Sequence, residues 1–239
     1  MAAQSADSLL AILAGRERAL HSLDALGTIR VEGESIQRKM RASQVVLVQA
    51  PDSFRIEVLA PFGVSYAVTS DGQKLTAAAP HENFRQTSGV DAASIAAATG
   101  VHADAGTVTA LLLGRPPVQA DELRSLWTSR HATEQNRPGE PEVFLHAAAG
   151  EHSVVIGFAQ VAIGGQRVSV PVTFQRIARD GTRLLSAEFS DFAGSKGVLV
   201  PKRIEVLASG NRAEIHYREF DPNRALASDA FAIAPLAAP

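Results

Sequence analysis

Apolar residues fall at every second position along much of this chain, and a period of two builds strands rather than helices. Residues 54–75, FRIEVLAPFGVSYAVTSDGQKL, show it best. Phe54, Ile56 and Val58 share one face, with Arg55 and Glu57 on the other. Val64, Tyr66 and Val68 share a face of the next run, and Asp71-Gly72 then offers a tight turn. The same alternation runs through 26–32, 39–49 and 74–79, with Met40, Ala42, Val46 and Val48 at even positions of the second. Together these predict an antiparallel meander of about five strands. Strand patterns resume at 142–148, 153–161, 167–179, 184–192, 200–208 and 213–220. Gly164-Gly165, Asp180-Gly181 and Ser209-Gly210-Asn211 supply turns between them.

Three stretches break the alternation. Ser5 or Asp7 is placed to cap an opening helix whose Leu9, Ile12, Leu13, Leu20 and Leu23 recur at helical spacing, with Arg16, Glu17 and Arg18 on its other side. Residues 91–99 (DAASIAAAT) form a short helix stopped by Gly100. Residues 105–113 (AGTVTALLL) form another, stopped by Gly114 and Pro116-Pro117. From 125 to 141 the chain is polar and poorly patterned apart from Leu126 and Trp127.

The fold class is therefore mainly β with helices. Roughly eleven strands make a single large antiparallel sheet, which must curl and hide one apolar face. The helices are too few for a full second layer. An incomplete β-barrel covered by a helical lid, enclosing an apolar cavity, meets both needs; a filled β-sandwich gives similar alternation. No linker-like segment divides the chain, so 1–239 reads as one domain.

Several functions are disfavoured. A net charge of −2 is too near neutral for a nucleic-acid binder. The chain has no cysteine, hence no disulfide, thiol nucleophile or Cys-based metal site. No apolar run reaches the length of about 18 residues that spans a bilayer. The seven histidines (21, 81, 102, 131, 146, 152 and 216) show no metal-binding spacing. Nucleophile-elbow, Walker and dinucleotide motifs are missing. The reading is a non-enzyme without cofactor or metal. The start, Met1 to Asp7, lacks the basic and apolar regions of a signal peptide, as expected of a cytosolic start or of a chain whose signal has been removed.

Ala60-Pro61-Phe62-Gly63 is the unusual turn. Polar residues are the rule at such tips, and a Phe in water forgoes about 1.5–3 kcal/mol relative to a buried one. Phe62 is thus a candidate for contact with a membrane.

Residues 54–75 and then 94–117 (SIAAATGVHADAGTVTALLLGRPP) resemble the LolA/LolB-like superfamily of periplasmic lipoprotein carriers and receptors, nearer the LolB branch of outer-membrane lipoprotein receptors. That branch has an N-P-L-G loop with a projecting Leu, and Phe62 falls at that position. It also has a helix ending T-G and a second ending L-G-x-P, matched by Thr99-Gly100 and Leu113-Gly114-Arg115-Pro116. Residues 200–220 (VPKRIEVLASGNRAEIHYREF) resemble the family's final hairpin, whereas 127–185 match weakly. The departures are the missing acylated Cys, Phe in place of Leu, and a single Trp, Trp127, where the branch is Trp-rich.

The resemblance implies a half-barrel that binds acyl chains of lipoproteins or lipids and transfers them across the periplasm to the outer membrane. Its cavity would be lined by Met40, Val46, Val48, Phe54, Ile56, Val58, Tyr66 and Val68. Leu111 and Leu112 would belong to the lid, and Phe62 would dip into the acceptor membrane. The implied partners are lipoproteins or lipids, the outer-membrane surface, and a periplasmic carrier or receptor. The implied location is the periplasm, either free or anchored through a lipidated Cys outside this sequence. The alternative is a periplasmic sensor or interaction module on the same scaffold that binds a protein.

Overall fold

Two antiparallel meanders meet edge to edge in one open sheet. The computed structural model describes residues 5–33, 39–119, 123–130, 139–227 and 229–233. The first meander contains β1 (Ser22–Gly33), β2 (Met40–Gln49), β3 (Ser53–Ala60), β4 (Gly63–Asp71), β5 (Leu75–Ala79) and β6 (Phe84–Ser88). The second contains β7 (Arg124–Arg130), β8 (Val143–Ala149), β9 (His152–Ile163), β10 (Gln166–Ala178), β11 (Arg183–Ser195), β12 (Val198–Ala208) and β13 (Asn211–Pro222). All thirteen strands lie in the order β6-β5-β4-β3-β2-β1-β13-β12-β11-β10-β9-β8-β7. The first and last strands pair at the centre, and β6 and β7 are the two outer edges.

The large curved antiparallel sheet expected from the alternation is present, with two more strands than the pattern indicated. The additional strands are the two edges. Four of the five residues of β6 are exposed, and in β7 only Leu126 and Ser129 are half-buried. An edge wet on both faces has no core to impose alternation, so its sequence carries no period of two.

Elsewhere one face is apolar. Val46, Ile56, Val68 and Ala77 stand opposite one another across β2–β5, and Phe189, Ile204 and Ile215 across β11–β13. Much of the other face is charged, apart from a small apolar cluster of Ala159, Val170 and Val172 on β9 and β10. Arg55 bonds Glu57, Arg212 bridges Glu205 and Glu32, and Arg203 pairs with Glu214 at 3.0 Å. Bulges help bend the sheet. One lies between Val58 and Leu59, where Ser65 is the extra residue and donates its hydroxyl to the Val58 carbonyl at 3.0 Å. Another lies beside Gly27, whose added Cβ would collide with the His216 carbonyl.

The strand order explains the helices. The chain leaves β6 at one edge and must reach β7 at the opposite edge, so the connection crosses the concave face. It carries α2 (Ala92–Thr99) and α3 (Ala105–Leu112), while α1 (Ala6–Ala19) precedes the sheet. Each begins with a side-chain cap: Ser5 accepts from the Ser8 amide, Asp91 from Ala93 and Ser94, and Asp104 from Thr107. α2 ends at Gly100, with φ 75°.

α3 is closed by Gly114, with φ 66°, whose amide donates to the Leu111 carbonyl at 2.8 Å. A Cβ there would run into the Pro201 ring on β12. Gly114→Ala combines left-handed backbone with that collision and should lower stability by about 2 kcal/mol or more. Urea unfolding will read this as a lower midpoint at unchanged slope.

Candidate functional site

The two crossing helices grip the sheet unequally. α2 is mostly alanine, and the one buried large side chain it sends down is Ile95. Tyr66 Oη on β4 donates to the Ala98 carbonyl at 2.9 Å, and Asn211 Nδ2 at the start of β13 donates to Gly100 at 2.8 Å. Burying one Ile is worth about 1.5–3 kcal/mol, and each hydrogen bond about 0.5–1.5 kcal/mol net.

α3 and the residue after it bury Val108, Leu111, Leu112 and Leu113. Tyr217, wholly buried on β13, donates to the Leu112 carbonyl at 2.9 Å, and burial pushes its phenol pKa up. Four such side chains contribute at most about 6–12 kcal/mol. α3 is a fixed plug, and α2 is a lightly held cover.

Beneath α2 lies a cavity of about 290 Å³, walled by Tyr66, Leu75, Ala77 and Ala97, with Phe84 and Gln86 from the edge strand β6. The small alanines of α2 leave this space, which sits near the lower end of ligand pockets at about 300 Å³. Phe84 remains 39% exposed.

The residues singled out from the sequence are placed as follows. Val46, Val48, Phe54 and Val68 are buried in one apolar cluster with Ile95, Leu111 and Leu112, and Ile56 and Tyr66 pack against it half-buried. Val58 is also buried. Met40 shares the face but begins its strand and is 40% exposed. Of the eight lining candidates, Tyr66 alone borders the cavity; the others, Met40 excepted, form the sheet wall below the helices. Leu111 and Leu112 lie in the fixed α3.

Phe62 is 90% exposed at the β3–β4 tip, beside Gly63 with φ 119°. In an antiparallel meander the β3–β4 and β5–β6 turns share an end of the sheet. Gly33 pairs with Asn211 across β1 and β13, so the Asn211–Gly100 bond lies at that end too. The aromatic tip and the end of α2 therefore share one rim.

Sequence reasoning missed four contributors: Ile95, Phe84, Tyr217 and Gln44. Gln44 is fully buried between Gly27 and Val58 on the apolar face, and neither of its side-chain amide atoms has a hydrogen-bond partner. Tyr217 carried a readable signal. The chain has two tyrosines, and each sits on the apolar face of an alternating strand, where a hydroxyl needs an acceptor. Among the described residues no group of three potential metal ligands comes together.

No protein-family model matches the chain, and no curated protein matches it. Solved structures do. A LolA superfamily protein from Nitrosomonas europaea aligns with a TM-score of 0.57 at 15% identity, over 97% of this chain and 99% of that one. The chain shares its fold with that LolA superfamily protein. A domain named as an outer membrane lipoprotein-sorting protein, from Vibrio parahaemolyticus, aligns with a TM-score of 0.61 at 9% identity, over 95% of this chain and 97% of its own. A DUF1329 family protein from Desulfovibrio piger reaches 0.63 at 10% identity, over 98% of this chain and 100% of its own. These likenesses are of fold; the LolA-like scaffold here carries its own side chains at the lid.

The two tyrosines should behave differently when their hydroxyls are removed. In Tyr66→Phe, amides 96–100 should exchange hydrogen about 2- to 13-fold faster, with α3 unchanged. Tyr217→Phe strands a buried carbonyl and should cost about 1–3 kcal/mol of global stability, measured by chemical unfolding.

Proposed function

We propose that this chain binds acyl chains of lipids or lipoproteins on the concave sheet beneath α2 and delivers them to a membrane that the Phe62 tip touches. The observation that carries the reading is the pairing, at one rim of a LolA-like sheet, of an exposed aromatic tip with a lightly held helix over an apolar wall. On this reading the protein is a carrier or receptor rather than an enzyme. It works in the periplasm, as a member of the LolA/LolB-like superfamily on the LolB side, and exchanges cargo with a partner carrier or receptor.

The energetics fit a reversible load. Lifting α2 exposes Ile95 and breaks the Tyr66 and Asn211 bonds, at a cost of about 3–6 kcal/mol. Each acyl methylene removed from water contributes about 0.8 kcal/mol, so roughly four to eight methylenes offset the opening. The remaining length of the chain then supplies net affinity. With α2 raised, Tyr66 and Val68 of β4 and Leu75 and Ala77 of β5 become the wall that meets the chain. Phe62 contributes about 1.5–3 kcal/mol on inserting into lipid, enough to bias docking and too little to anchor.

Protein expressed with export to the periplasm, purified and extracted with organic solvent, should yield stoichiometric lipid by mass spectrometry, and delipidated protein should take up a fluorescent fatty acid. Absence of both would favour the protein-binding module instead. Phe62→Glu should weaken flotation with liposomes about tenfold or more while leaving fatty-acid uptake intact. Unchanged flotation removes the membrane role of the tip.

A further inference from the structure

A second cavity, of about 470 Å³, lies among α1, the first turn of α3 and the β2–β3 turn, and its lining includes Gly72 of the β4–β5 turn. Both turns are at the end of the sheet opposite Phe62. Three arginines line this cavity: Arg16 from α1, Arg115 just past α3, and Arg176 from β10.

Their partners are few. Arg115 is 8% exposed; its Nη1 donates to the Glu17 carbonyl oxygen at 3.3 Å and lies 4.0 Å from the Glu17 carboxylate, whose side chain is 62% exposed. Arg16 Nη2 donates to the Leu199 carbonyl at 3.2 Å, and its guanidinium lies 5.7 Å from the centre of the Phe192 ring. Arg176 Nη2 donates to the Pro117 carbonyl at 2.9 Å. The Nε atoms of Arg16 and Arg115 are buried and have no hydrogen-bond partner.

The other acids on the wall are otherwise placed. Asp104 caps α3 through the Thr107 amide at 2.6 Å, and Asp52 lies 3.5 Å from the Ser53 hydroxyl. Among the described residues neither forms an ion pair with an arginine. Burial, reinforced for Arg16 by the Arg115 charge, lowers the Arg16 pKa to about 10. Burial lowers Arg115 as well, against the opposing pull of Glu17.

Among the described residues Arg16 and Arg176 have no carboxylate partner, and buried Arg115 has only the exposed Glu17 at 4.0 Å. Cations so weakly paired are costly, and apolar side chains of similar size would fill the same space more stably. What the arrangement does offer is several guanidinium donors facing one cavity, the geometry that recognises phosphate and carboxylate. We propose that this cavity binds an oxyanion, a phosphate or a carboxylate, held by Arg16, Arg115 and Arg176. Leu13, Val90, Ala110 and Val118 on the same walls would lie beside an alkyl segment, so the anion can be a lipid headgroup as well as a free ion. The site is separate from the acyl wall beneath α2.

Isothermal titration at low ionic strength, with inorganic phosphate and with dihexanoylphosphatidic acid as probes, tests the proposal on the full chain. Saturable binding of either is expected. Affinity about tenfold or more higher for the lipid identifies a headgroup site, and equal affinity identifies a free-anion site. Arg16→Met and Arg176→Gln should each weaken binding about tenfold or more. Arg16→Met should also melt no lower than the parent in phosphate-free buffer, because it removes a half-buried charge that has no carboxylate partner among the described residues. No saturable binding up to about 10 mM of either probe, or binding unchanged in both variants, overturns the site. The phosphate arm involves no acyl chain, so its outcome is independent of fatty-acid uptake.

Discussion

The pairing of β1 with β13 governs this molecule. It places the two termini of the strand run side by side at the centre of the sheet and drives β6 and β7 to opposite edges. The chain between those edges then has one short route, over the concave face. A cover across the apolar side of the sheet is thus a consequence of strand order. The same order leaves the sheet open, because its first and last members in space, β6 and β7, are short and largely exposed rather than paired with each other. Such brevity and exposure are ordinary protections for a sheet edge.

Within the crossing segment, side-chain size divides the labour. The leucines of α3 and the buried Tyr217 hydroxyl fix one half of the cover to both meanders. The alanines of α2 provide helix propensity with little to bury, so the other half rests on Ile95 and two hydrogen bonds at its C-terminal end. A single connection thereby holds one element that stabilises the fold and one whose release is within reach of modest binding energy. The released edge is where Phe62, Phe84 and the smaller cavity occur. The arginine-lined cavity occupies the other end, so the two cavities are separated along the strands.

Much of this architecture was legible in the sequence. Phe54, Ile56, Val58, Tyr66 and Val68 reported their shared face because one-sided burial enforces alternation, as it does along β2 and β8, whereas β9, β10 and β11 bury runs of consecutive residues. β6 and β7 did not report themselves, because edge strands exposed on both faces are free of that constraint. Phe62 stood out as an aromatic where turn chemistry favours polar residues, and it is exposed. The unequal grip of the lid was hidden because it depends on distant contacts: Tyr217 meets Leu112 across 105 positions, and Arg115 meets Glu17 across 98. Arg16 looked like one more polar residue on the outer side of α1; only the packing of that helix near β10–β12 buries it. Gln44 sat inside an alternating strand as an apparent exception, and its burial becomes visible only once the sheet partners are known.

The most direct measurement is where the chain end of a fatty acid lies when bound. Palmitate carrying a terminal diazirine, photolysed on the delipidated protein and mapped by mass spectrometry, should label Val68, Leu75, Ala77, Ile95 or their immediate neighbours, with labelling competed by unmodified palmitate. Labels confined to the charged outer face, or no competable labelling at all, would contradict an acyl-binding surface beneath α2.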